Sequence, residues 1–117
     1  MSTNLYDQAY VLEKAVRRST EFSHLKQMFE AVANDPAARD LFDEFRNVQL
    51  QLQHKQMEGL HITDDEVMKA QEIANRVQQH HKVAKLMDAE QRMSMIIAEL
   101  NKIILKPLDD LYGPSFG

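Results

Sequence analysis

Residues 93–111 read MSMIIAELNKIILKPLDDL, and the spacing inside this stretch sets the fold class of the whole chain. Met93, Ile97, Leu100, Ile104, Pro107 and Leu111 follow one another at intervals of four, three, four, three and four, a heptad-like helical seam. Ile96 and Ile103 form a second row beside it. With Leu86, Met87 and Leu108 added, the apolar surface is wider than one stripe. From Val83 to Leu105 the spacing predicts a helix about 35 Å long at ~1.5 Å per residue. Pro107 is expected to kink or end it, because proline removes a backbone donor and crowds the preceding turn.

Four shorter helices precede it. Leu5, Ala9, Leu12 and Val16 mark the first, starting near Asn4, with Glu13 and Arg17 as an i,i+4 pair on its outer face. Ser19 or Thr20 caps the second, whose stripe is Phe22, Leu25, Phe29 and Val32. Asn34-Asp35-Pro36 breaks the chain, with Asp35 as cap and Pro36 as the first residue of a third helix running to about Glu58. Its stripe is Leu41, Phe45, Val48 and Leu52, and Gly59 is placed to stop it. Residues 48–53 alternate with period two, but a lone strand would have no partner. Thr63-Asp64-Asp65-Glu66 is a capping box, with Ile62 able to pack on Val67 as a hydrophobic staple. The face that follows is thin: Val67, Ala70, Ala74 and Val77. Gln78-Gln79-His80-His81 then reads as a short turn.

The chain is therefore expected to be an all-α, single-domain bundle of about five helices over residues 1–112, with a frayed tail over 113–117. Only three glycines and three prolines occur among 117 residues, as a helical chain requires. The opening segment has no basic and apolar stretch of a signal peptide, and the longest apolar run, Met95-Ile96-Ile97-Ala98, is far below the ~20 residues of a membrane span. With no cysteine, disulfides, thiolate ligands and a cysteine nucleophile are excluded. A cytoplasmic setting without membrane contact is expected. The net charge of −4 argues against direct nucleic-acid binding. Residues 82–106 carry five Lys/Arg against three Asp/Glu, a small surplus that reads as a solvated face.

Candidate chemistry is sparse. Glu21-Phe22-Ser23-His24 and Glu58-Gly59-Leu60-His61 both match the Glu-x-x-His spacing of di-metal helical bundles. The first lies in an opening helical turn and the second straddles Gly59, whereas such sites need the rigid middle of long helices. His54 and Glu58 are four apart, and His80 and His81 diverge by about 100° on a helix. No Gly-rich phosphate loop, nucleophile elbow or His-Glu-x-x-His is present. No enzyme activity, metal or cofactor is expected, and a metal-binding helical protein using the Glu-x-x-His pairs is the alternative. Met28, Met87 and Met93 lie on or beside apolar stripes; Met95 is expected to be exposed.

Asn4-Leu5-Tyr6-Asp7, Leu41-Phe42-Asp43-Glu44-Phe45-Arg46, Gln51-Leu52-Gln53-His54-Lys55-Gln56-Met57, Glu90-Gln91-Arg92 and Lys106-Pro107-Leu108-Asp109-Asp110-Leu111-Tyr112-Gly113 resemble the YlbF/YmcA family of Firmicute bacteria, in particular its YheA-like branch. The resemblance spans nearly the whole chain. It implies a small cytoplasmic helical protein that self-associates. It also implies a non-catalytic accessory role, with relatives tied to competence, sporulation and biofilm formation and acting with partners on RNase Y and messenger RNA processing. Some relatives hold iron–sulfur clusters through cysteines, which this sequence lacks.

A homodimeric adaptor with a further protein partner is the expected reading. The four shorter helices are expected to cover the face of Met93, Ile97, Leu100 and Ile104. That leaves Ile96 and Ile103, together with Met95 and Leu100, as the interface for a second copy.

Overall fold

A computed structural model describes residues 4–113 and gives five helices: α1 (Leu5–Arg18), α2 (Thr20–Ala33), α3 (Pro36–Met57), α4 (Asp64–Gln79) and α5 (His81–Tyr112). The tail expected to fray lies outside the described residues from position 114 onward, and Gly113 closes α5 with its N–H on the Asp109 carbonyl.

Polar side chains set where each helix begins. Asn4 Oδ1 accepts from the Tyr6 and Asp7 N–H groups. Ser19 serves both neighbours, its hydroxyl donating to the Val16 carbonyl and accepting from the Phe22 N–H. One residue thus ends α1 and opens α2. Asp35 accepts from the N–H groups of Ala37 and Ala38, and its second oxygen takes Lys82 Nζ at 3.0 Å. That contact ties the start of α3 to the start of α5. The Thr63–Glu66 capping box is formed in both directions. Glu66 also accepts from Lys55 Nζ, linking the end of α3 to the start of α4.

Gly59, at φ +69°, ends α3. Its N–H bonds the Gln56 carbonyl and the Leu60 N–H reaches back to Lys55, the paired arrangement of a Schellman stop. His80 joins α4 to α5 without a side-chain cap, and its Nδ1 is buried without a hydrogen-bond partner.

The core lies where α2, α3, α4 and the first half of α5 meet: Val32, Ala38, Leu41, Phe42, Val48, Ile73, Val77, Val83 and Leu86. Leu25, Met28, Phe45, Leu52, Ala70 and Met87 pack around it. The structure shifts several stripe assignments. Phe29 is half exposed while Met28 turns inward, and Phe42 is buried more deeply than Phe45. The thin face of α4 is anchored by Ile73, 1% exposed, which the sequence reading omitted. Val67, by contrast, is 43% exposed.

Pro107 does not end α5, which continues to Tyr112. Its ring removes the bond to the Ile103 carbonyl, but this part of the helix is exposed and water can take that acceptor. At 32 residues α5 is about 48 Å long, most of the 56 Å long dimension of the molecule.

Candidate functional site

The last buried residue of α5 is Met93, nineteen positions before the helix ends. From there α5 projects beyond the core. Helix α1 has no buried residue, and its backbone approaches α2 alone. The consequence is an open fork, with α1 as one prong and the far half of α5 as the other. Leu12 and Val16 on α1 and Ile97, Leu100 and Ile104 on α5 line the apolar groove between them, about 280 Å³ in volume. A second groove of about 480 Å³, lined by Leu25, Met93 and Ile97 among others, continues it between α2 and α5.

The face expected to be covered is covered only at its base. Met93 is buried, but Ile97 is 42% and Ile104 61% exposed. The reason is geometric: α2, α3 and α4 pack on α5, whereas the α1 backbone stands off it and faces its far half only across the groove. Of the residues expected at the interface, Ile96 and Leu100 are half-buried, whereas Ile103 is 67% and Met95 59% exposed. Ile96, Leu100 and Ile103 follow at four and three and so share one line on the helix; Met95 sits a further ~100° round from Ile96.

Sequence reasoning missed the outer face of α1, where Tyr6, Tyr10 and Val11 are 61–78% exposed. Tyr6 and Tyr10, four apart and off the Leu5–Ala9–Leu12–Val16 stripe, were the available signal.

The Glu-x-x-His residues do not converge. Glu21 and His24 border a shallow hollow with Arg92, whose positive charge opposes a cation there. His54 pairs with Glu58 at 3.3 Å, on the surface. Among the described residues no three His, Asp or Glu side chains are grouped to hold a metal ion. No described helix is long and apolar enough to cross a membrane.

Two carboxylates are perturbed, and both belong to the scaffold. Glu66 is held down to about 2 by the hydrogen bond from Lys55 and those from the Thr63 N–H and hydroxyl. Asp35 lies below its ordinary value through Lys82 and the Ala38 N–H. Both tie helices together at some remove from the fork.

The site is thus a small helical bundle that holds two apolar prongs apart. Residues 5–109 match the family described as control of competence regulator ComK, YlbF/YmcA, and the chain belongs to that family. It is 56% identical to the UPF0342 protein YheA of Bacillus subtilis over the full length of both. A solved DUF964 protein from Bacillus stearothermophilus superposes with a TM-score of 0.86 at 42% identity, covering 94% of this chain and 96% of that one. Bacillus subtilis RicA, solved in complex with RicF, shares the fold at a TM-score of 0.66 and 20% identity, over 97% of this chain and 100% of that one.

Proposed function

We propose that this chain is a non-catalytic helical adaptor that acts in the cytoplasm through protein–protein contacts and pairs with a second copy of itself. The observation that carries the reading is the fork. Along it Tyr6, Tyr10 and Val11 of α1 and Ile97, Ile103 and Ile104 of α5 are each 42–78% exposed, and monomeric proteins seldom expose so much apolar surface together. Ile96, Leu100 and Ile103 form the centre of the self-contact, with Met95 at its edge. A two-fold axis makes such a contact self-complementary.

The complex of RicA with RicF supports a protein partner for this fold. The family description supports a regulatory setting, and the family resemblance extends it to an accessory role in RNA processing or developmental regulation. Sedimentation velocity at micromolar concentration tests the self-contact. A dimer is expected that dissociates on Ile96→Glu plus Ile103→Glu with helicity retained. A clean monomer for the unaltered chain would sink the reading.

A further inference from the structure

We propose that the two copies pair antiparallel through residues 96–107 of α5, with Glu99 of each copy reaching Lys106 of the other. The inference rests on the self-association reading above and adds direction and register to it.

At ~100° per residue, Ile96, Leu100, Ile103 and Pro107, spaced four, three and four, fall on one line along the prong. Ile97 and Ile104 are displaced to the side that lines the α1 groove, and Leu100, at the edge of the line, borders that groove as well. Glu99 and Lys106, seven residues apart, share the opposite flank. Both are exposed, and among the described residues neither takes part in an ion pair.

This arrangement decides the direction. In an antiparallel pair related by a two-fold axis, each flank faces the same flank of the other copy. Seating Leu100 on the partner's Ile103, and Ile96 on the partner's Pro107, brings Glu99 within reach of the partner's Lys106. Symmetry repeats the ion pair on the other side. A parallel pair sets unlike flanks together instead. Glu99 would then lie against the partner's Ile104 and Lys106 against the partner's Leu111, two charges losing water without compensation. Flanking charges choose partner orientation in paired helices for this reason.

On the line itself Ile103 is 67% exposed, while Ile96 and Leu100 are half-buried.

Sedimentation equilibrium of the full chain at low salt tests the proposal with Glu99→Lys, Lys106→Glu and the double variant. Each single reversal alters both symmetry-related contacts, so each is expected to weaken dimerisation by about ten-fold. The double variant is expected to recover wild-type affinity, and so is an equimolar mixture of the two single variants, where every pair is again of opposite sign. Circular dichroism checks that these exposed substitutions leave the helices intact. Single variants that dimerise like wild type, or a mixture no tighter than its components, would overturn the antiparallel register while leaving self-association standing. A wild-type chain that sediments as a monomer overturns both.

Discussion

Replacing Ile73 with alanine tests whether the core is assembled as described. Ile73 is 1% exposed and is the largest buried side chain of α4, whose inward face is otherwise Ala70, Ala74 and Val77. The substitution removes three carbon atoms, worth about 2.4 kcal/mol of transfer free energy at ~0.8 kcal/mol each. The cavity left behind adds a further ~1–2 kcal/mol if the small neighbours fail to close over it, for a total of about 3–4 kcal/mol. A chain of 117 residues has a total stability of roughly 6–18 kcal/mol, so the loss is a large fraction. Urea unfolding followed by helicity, at fixed protein concentration so that self-association contributes equally, reads it directly. With a urea slope of ~1–3 kcal/mol/M the midpoint should fall by about 1–4 M. A loss below about 1 kcal/mol would mean that α4 is not held by this side chain.

Thr63→Ala is expected to cost ~0.5–2 kcal/mol, because it strips the cap from the Glu66 N–H; an unchanged denaturant midpoint would contradict the capping box. Glu66, at about 2 against an ordinary 4.5, and Asp35, lowered from 3.8, bind protons more readily once unfolded. Their contribution is complete above about pH 4.5 and is lost as pH falls toward 2. Urea midpoints measured from pH 6 downward should therefore decline below pH 4.5, and Glu66→Gln with Asp35→Asn should flatten that decline; an identical slope in the variant would refute the assignment. Elemental analysis of the purified protein should find neither iron nor zinc, and one or more ions per chain, lost on His24→Ala or His61→Ala, would revive the metal-binding alternative.

The parts of the fold legible in the sequence are those set within a few residues of each other. Ser19, Asp35, Gly59 and the Thr63–Glu66 box act through hydrogen bonds spanning two to five positions, so residue type and spacing nearly determine them. Which helical face lies inward depends on neighbours far away in sequence. Ile73, Phe42 and Met28 could not be ranked above Val67, Phe45 and Phe29 without knowing where α5 runs. The fork shows the same limit. The apolar rows of α5 were visible, but α1 was assumed to close over them. Helix α1 has no buried residue and its backbone meets α2 alone, an outcome set by where α2 and α5 run. Pro107 does not end α5, since the carbonyl its ring leaves unpaired lies on an exposed turn that water can reach.

The continuity of α5 bears on how the prong stays ordered before anything binds it. Starting a helix is the unfavourable step, with a nucleation factor of about 10⁻³, whereas each added turn is close to neutral for good helix formers. The core fixes the first turns of α5 through Val83, Leu86 and Met93, so the prong inherits a nucleus and needs only propagation. A detached peptide of residues 94–112 would be mostly coil in water for want of that start. Attached, the same residues stand as a preformed rod, and a partner meets a surface whose ordering cost was met when the core folded.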